Sequence, residues 1–563
     1  MDPQTGRRGG SHGALRHSAA HHLARHRAGG VGAGRAAARR AGRGDGAHNP
    51  GRIGAQSVRG PEADAGPARG QPGRRHVERR PQPGDRAESL VRRGPGARWC
   101  GHCAGGQPHR GRRPHRRIRR DRYRRVHLLR LPPSGRAVLV RRRCGADSAA
   151  ARPLQRWCLR AGGIHPVCGI GAVNVLGVAA ALSRDFAFEA AARDAERRLP
   201  HDQVKALKES GLLALSVPTE YGGVDAPAEV IAEVFRLIGH ADGSLAQIPH
   251  SHYTFLEALR LQGTPEQCRF YYGHVLDGAL FANAQSERGP HAINVDTTTL
   301  TLQPSGDYVL SGRKFYCTGA LFADWVIVRA SLADGQPPTS STPKALAYVP
   351  RDIPGLEVVD DWDGMGQRTT ASGTVTLDDV QVPAEYVVPF SPIFAGPTVY
   401  GSRAQLLHAA IDVGIATGAL DEAVRQAGKA RPHFEADVSA SADDPTVINI
   451  AGELTVTVRG AQALLAEAAR QVDAARADLT EDTCAAAAIA VAVAKVAAVR
   501  ASLEATSTLF DLGGTRSASG SANLSRYWRD ARTHTLHDPT RWKLQHIGRY
   551  TLSGTKPPRH GQL

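Results

Sequence analysis

Apolar positions begin to recur at helical spacing near residue 183. Segments 186–198 and 200–210 carry Ala, Leu and Val at three- and four-residue intervals, and Gly211 stops the second. A short apolar run, 212–217, leads into Pro218-Thr219-Glu220-Tyr221-Gly222-Gly223, where Pro and paired Gly mark a fixed turn. Helical spacing continues over 228–239 and 253–261. Between 281 and about 395 the period drops to two: 295–302, 308–310, 325–330, 345–349, 356–359 and 374–382 are β-rich, divided by turns such as Pro304-Ser305-Gly306-Asp307 and Ile353-Pro354-Gly355. After Tyr400 helical spacing returns over 406–428, 447–478, 481–510 and 525 to about 536, four amphipathic segments with short connections. The pattern predicts an α+β chain with an N-terminal helical domain at 180–280, a middle antiparallel β domain at 281–395 and a C-terminal four-helix bundle at 400–555.

Composition separates the first 170 residues from this body. They hold 38 Arg, no Lys and nine acidic residues, a net charge of +29, while the whole chain carries only +19 and Lys first occurs at Lys205. With no apolar period, such a segment buries too little surface to offset its chain entropy and is expected to be disordered. Arg without Lys, amid Gly, Ala, Pro and His, is also what GC-rich DNA encodes when read out of frame. Nucleic acid binding is the competing reading, and the few interleaved aromatics speak against it. Trp99-Cys100-Gly101-His102-Cys103 copies a disulfide isomerase pentapeptide but lacks the preceding apolar strand and following helix that lower a thiol pKa. Cys268, Cys317 and Cys484 alone fall in the body, as expected for a reducing compartment. Residues 1–30 show no apolar core of a leader, and the apolar stretches at 168–182 and 485–494 are too short to span a bilayer. A cytoplasmic protein without membrane contact is expected.

Candidate chemistry concentrates near the C-terminus. Between Trp528 and Trp542 stand His534 and His537, followed by Asp538 and the helix-breaking Pro539. On a helix, i and i+3 share a face, so two imidazoles titrating near neutrality would meet beside a carboxylate. No metal-ligand spacing accompanies them.

In order along the chain stand Gly211-Leu212-Leu213, Pro218 to Gly223, Asn283-Ala284-Gln285-Ser286-Glu287, Lys314-Phe315-Tyr316-Cys317-Thr318-Gly319-Ala320, Asp361 to Thr370, and Trp528-Arg529-Asp530-Ala531-Arg532. This succession resembles the acyl-CoA dehydrogenase fold over residues 180–555. Dehydrogenases of that family place a Glu base after the Arg-Asp-Ala segment; here Asp538, one methylene shorter, stands there. The run His534-Thr535-Leu536-His537-Asp538-Pro539 instead resembles the flavin monooxygenase branch, dibenzothiophene monooxygenases and SfnB-type sulfur-acquisition oxidoreductases.

That resemblance implies FMN, reduced by a separate flavin reductase and used with O2 to oxygenate an organosulfur or related small molecule, within a homotetramer. Carried over by position, it implies FMN contacts from Asn283, Ser286, Thr318, Trp362, Arg431 and Arg516, with Arg431 reaching a neighbouring subunit's cofactor. It implies catalytic roles for His252, Thr318, His534 and His537, with His250 competing with His252. The alternative is an FAD-dependent dehydrogenase with Asp538 as base.

Overall fold

The structure is a computed structural model that describes residues 157–160, 163–166 and 175–563. Strands β1 (Trp157–Arg160) and β2 (Gly163–Pro166) pair antiparallel, so the expectation of disorder up to residue 170 is corrected at these eight positions. The Cys100 and Cys103 motif and the rest of 1–156 lie outside the described residues.

The N-terminal domain is helical as expected, with more helices than periodicity shows. They are α1 (Val175–Ala187), α2 (Ala190–Glu196), α3 (His201–Glu209), α4 (Ala228–Ala241), α5 (Gly243–Gln247), α6 (His250–Gln262) and α7 (Pro265–Leu276). The segment expected at 186–198 is broken, because Glu189 adopts a left-handed conformation (φ 60°) between α1 and α2. α7 hides its period behind four aromatic or imidazole rings, yet its start is well marked: Thr264 accepts from the Gln267 amide, Gln267 returns the bond, and Pro265 follows.

The middle domain is one sheet: β3 (Phe281–Ala284), β4 (Thr299–Leu302), β5 (Tyr308–Cys317), β6 (Trp325–Ala333), β7 (Lys344–Pro350), β8 (Leu356–Val359), β9 (Gly373–Val382) and β10 (Val387–Pro389). Its path is β10-β7-β6-β4-β5-β9-β8, with β3 also on β6. The antiparallel expectation needs correction, since β3 and β4 both run parallel to β6, end to end along one edge. The intervening loop is pinned by buried charge: the Lys314 ammonium donates to Glu287 at 2.6 Å and Asp296 at 3.1 Å, and Arg329 takes the other Asp296 oxygen at 2.9 Å.

The bundle comprises α8 (Tyr400–Ala427), α9 (Pro445–Ala477), α10 (Glu481–Gly513), α11 (Ser525–His534) and α12 (Thr540–Ser553). α10 is long and apolar enough to cross a membrane, but it is mostly buried among its neighbours. Ala487, Ala494, Ala498, Ala501 and Ala505 on it are wholly buried, so neighbouring helices approach closely. α4 crosses α8 where both lack side chains: a Cβ on Gly414 would sit 2.5 Å from the Arg236 carbonyl oxygen. This contact fuses the helical domains into one core and fixes α8 beneath α6.

Candidate active site

Two clusters bracket α11. Asp530 and His534 lie one turn apart on it, i and i+4, and each engages a different domain.

At the His534 end lies a buried chain of polar groups. Lys495, the lone cation in the apolar run of α10, places its ammonium 2.6 Å from Asp412 Oδ2 on α8. Asp412 Oδ1 lies 2.5 Å from His534 Nδ1, and His534 Nε2 lies 3.1 Å from His408 Nδ1. A carboxylate only accepts, so His534 Nδ1 carries the proton. His534 is held below the usual imidazole range by burial, and its Nε2 lone pair therefore accepts from His408 Nδ1–H. His408 sits well below that range through burial and neighbouring imidazoles, which leaves its Nε2 as a lone pair. Its ring stacks on His250 at 3.7 Å and meets the His537 ring at 4.0 Å.

The structure corrects the expectation that His534 and His537 share a helix face. α11 ends at His534, and His537 lies in the turn before Pro539. The two still belong to one cluster, joined through His408. His534 is wholly buried, while the His537 side chain is about half exposed (49%) and forms the accessible end. Its Nδ1 lies 3.2 Å from Asp538, a buried carboxylate. Burial works to raise the Asp538 pKa, but His537, Lys543 and Lys495 together depress it. One Asp538 oxygen, Oδ1, is buried without a hydrogen-bond partner.

His252 requires a second correction. It is wholly buried, its Nε2 donates to the Leu213 carbonyl at 2.9 Å and its Nδ1 accepts from the Phe281 amide at 3.1 Å. With both nitrogens committed to backbone and burial pushing its pKa down to about 4, it ties α6 to β3 rather than to the imidazole cluster. His250 stands in the cluster instead: its Nε2 donates to Ala404 O at 2.9 Å, and burial lowers its pKa to about 3.

His408, Asp412 and Lys495 were not anticipated. Their signals were present: His408 and Asp412 are four apart on one helix, and an isolated Lys in an Ala/Val stretch must find a carboxylate when buried. His408, His537 and Asp538 also each offer a ligand atom within 4.8 Å of one another, a spacing that a cation could bridge. The ammonium groups of Lys495 and Lys543 add positive potential at Asp538, which favours an anion there instead.

At the Asp530 end, α11 meets the sheet domain. The Gln367 amide donates to Asp530 Oδ1 at 2.5 Å, and Gly366 lies so close that a Cβ would be 1.9 Å from the Arg529 carbonyl oxygen. The Gln367 carbonyl accepts the Trp362 indole N–H at 2.8 Å and the Thr370 hydroxyl at 3.0 Å. Thr370 contacts Ser372 at 2.7 Å, and Ser372 contacts Thr318 at 2.8 Å. Asn283 is adjacent, its amide nitrogen 3.4 Å from the Thr318 carbonyl and its side chain donating to Tyr316 O. Ser286 bridges Phe315 on the same edge. Trp362, Thr318, Asn283 and Ser286 thus gather near the end of β5. A Cβ on Gly319 would lie 3.3 Å from the Ile248 carbonyl, two residues before His250, so this group borders the imidazole cluster.

Arg431 and Arg516 do not join them. Both are exposed beyond the far ends of α8 and α10, where a Cβ on Gly513 would fall 3.0 Å from Gln426. Gln426 is eighteen residues from His408, about 27 Å along a straight helix.

Three family models match this architecture in order: acyl-CoA dehydrogenase N-terminal domain at 177–279, middle domain at 281–380 and C-terminal domain at 406–542. The chain belongs to the acyl-CoA dehydrogenase family. Within it, a probable FMNH2-dependent monooxygenase SfnC from Pseudomonas putida is 33% identical over 393 residues, covering 68% of this chain and 95% of that protein. A dibenzothiophene monooxygenase from Rhodococcus erythropolis is 33% identical over 364 residues, covering 62% of this chain and 86% of its own. The crystal structure of FMN-bound TdsC from Paenibacillus sp. A11-2 superposes with a TM-score of 0.65 at 32% identity, covering 69% of this chain and all of that one. These likenesses put the chain in the flavin monooxygenase branch of the acyl-CoA dehydrogenase family.

Proposed function

We propose that this acyl-CoA dehydrogenase family member is a two-component monooxygenase that takes reduced FMN from a separate reductase and, with O2, oxygenates an organosulfur or related small substrate. The observation that carries the reading is the buried chain Lys495, Asp412, His534 and His408 ending beside the half-exposed His537. Asp412 fixes the His534 tautomer and His534 fixes His408. The accessible His537 is held by Asp538 and can give or take a proton at a substrate or cofactor atom. The reduced flavin, when bound, supplies the electrons for oxygen activation. Thr318, Asn283 and Trp362 would hold its ring system. They suit it in chemistry, as a hydroxyl, an amide and an aromatic face grouped on one strand end beside the imidazoles.

The dehydrogenase alternative is disfavoured by Asp538 itself. Hydrogen-bonded to His537 and depressed in pKa, it is a poor base for a carbon acid. The roles of Arg431 and Arg516 call for a homotetramer, in which a second copy could bring these exposed guanidinium groups to a flavin phosphate that their own chain holds far away. A cytoplasmic location accords with the reduced Cys268, Cys317 and Cys484. Residues 1–156 are proposed to be dispensable; their deletion should leave flavin binding, read by fluorescence titration, within about twofold.

The test couples the full chain to a flavin reductase, NADH and FMN under O2 with a panel of thiophenes, sulfones and sulfinates. Wild type should consume NADH in step with product. His537→Ala should retain reduced-FMN binding but lose about 10² to 10⁴ in product rate, with hydrogen peroxide appearing instead. Reduction of a bound flavin by butyryl-CoA without O2, with no oxygenated product from the panel, would overturn the proposal.

A further inference from the structure

Beside the turn of His537 and Asp538, α12 and the segment 558–563 enclose a cavity of about 330 Å3. Asp538, Lys543, His546, His560 and Gln562 are in its wall. The segment is tied down: Arg559 Nε donates to Phe394 O at 3.1 Å, and the Leu563 carbonyl packs against Gly401 on α8, where a Cβ would fall 2.2 Å from it. Lys543 is the one residue that α12 buries. Its ammonium has three protons and gives two, to Gln405 Oε1 at 2.8 Å and to Gln562 O at 2.9 Å, so one N–H remains for the cavity. The His560 tautomer is set by backbone. The Gln562 amide donates to His560 Nδ1 at 3.2 Å, so that nitrogen is the acceptor and the ring hydrogen sits on Nε2. Its partly enclosed position holds His560 below the usual imidazole range, with His546 and Lys543 repelling its proton as well. Burial also pushes Lys543 down to about 8, and Lys495 adds to that effect against Asp538. The wall thus combines available donors with unmet positive charge. α12 begins at its edge, and the N-terminal end of a helix adds to that potential. Against these donors stands Asp538 Oδ1, an ionised oxygen that only accepts and that is buried with no partner.

We infer that this cavity is a binding site for a small oxyanion that carries a proton, such as hydrogen phosphate. The bare oxygens of such an ion accept from the Lys543 ammonium and from His560 Nε2–H. Its hydroxyl donates to Asp538 Oδ1, which repels an anion that has no proton to give. Inorganic phosphate keeps a hydroxyl at neutral pH and sulfate keeps none, so one carboxylate oxygen separates two anions of the same shape. A phosphate monoester has largely lost its hydroxyl at neutral pH, its second pKa being about 6, which makes free phosphate the favoured source. Phosphate recognition here needs no flavin: in the proposed function the flavin phosphate belongs to Arg431 and Arg516 of a second copy. The cavity and His537 share Asp538, so an occupant holds the same carboxylate that holds the accessible imidazole.

The measurement is isothermal titration calorimetry of the full-length protein with inorganic phosphate and with sulfate, near neutral pH and at matched ionic strength. Phosphate should bind at least about tenfold more tightly than sulfate, the cost of opposing a buried lone pair with another. His560→Ala removes one donor from the tail and should weaken phosphate about threefold to tenfold. Asp538→Asn puts an amide donor where the acceptor was and should bring sulfate to within about twofold of phosphate. Glycerol phosphate and FMN should leave phosphate binding unchanged. Absence of phosphate binding, or sulfate binding as tight as phosphate in wild type, would overturn the inference. So would a preference for phosphate that survives in Asp538→Asn, or an affinity that His560→Ala leaves alone. Displacement of phosphate by FMN would give the cavity to the cofactor and overturn it as well.

Discussion

Asp412 and Asp530 are both buried and both touch α11, yet they ionise in opposite senses. Burial alone raises a carboxyl pKa. At Asp412 the Lys495 ammonium and His534 overcome that effect and hold it below the ordinary value. At Asp530 burial acts together with the carboxylates of Asp242 and Asp194, and the pKa rises to about 7 despite the Gln367 amide and Arg526. α11 thus meets a fixed negative charge from α8 at the imidazole cluster and itself presents a carboxyl near its titration point to the loop of Trp362 and Gln367. The neighbours on the facing helices decide the charge state, and the degree of burial does not.

The largest break in this comparison comes from removing the fixed charge. Asp412→Asn strands the buried Lys495 ammonium and should cost about 3–5 kcal/mol of stability, measured by urea unfolding. Adding Lys495→Met removes the stranded charge and should restore most of that loss. Oxygenation by the double variant should stay at least about 10²-fold below wild type if the charge on Asp412 serves catalysis through His534. Full activity in the double variant would show that the pair is structural.

A smaller effect is expected from Asp530→Asn, and its sign depends on pH. A carboxyl whose folded pKa is raised binds more protons when folded, so its contribution is full below about pH 4 and is lost as pH rises through about 7. The buried imidazoles act oppositely. His250, His408 and His534 have lowered pKa values, so their contribution is full above about 6.5 and is lost on acidification. Asn mimics the protonated acid. Asp530→Asn should match wild type near pH 4 and melt higher at pH 8, on the order of 2–5 °C by scanning fluorimetry. An equal shift at both pH values would refute the ionisation argument.

The contrast also shows what the chain made legible. Helices α3, α4, α8, α9 and α10 announce themselves by apolar spacing and stops, and the three-part α, β, α order was readable from period alone. The parallel pairing of β3 and β4 with β6 was not, because strand direction depends on a loop held by Lys314, Glu287 and Asp296, and those contacts are remote in sequence. At the site, motif spacing located His534 and His537 but not what joins them. His408, Asp412 and Lys495 come from α8 and α10, and only the tertiary crossing reveals the chain of bonds. His252 misled for the converse reason: an imidazole two residues from a cluster member reads the same whether its nitrogens face a cavity or a backbone.

The smallest effect sharpens the Asp530 side. Asp194 on α2 is one of the two carboxylates that raise Asp530, and it is itself held by Arg529 and by Asn523 at 2.7 Å. Asp194→Asn keeps a polar side chain there while deleting one negative charge. The Asp530 pKa should fall by up to about 1 unit, the scale of one nearby like charge. Because stability follows the difference in bound protons, the pH at which Asp530 stops contributing should move down by the same amount. Melting curves at half-unit steps from pH 5 to 8 resolve such a displacement as a shifted inflection, and Asp194→Asn combined with Asp530→Asn should abolish it. An inflection that stays in place in the Asp194 variant would assign the raised pKa to burial and Asp242 alone.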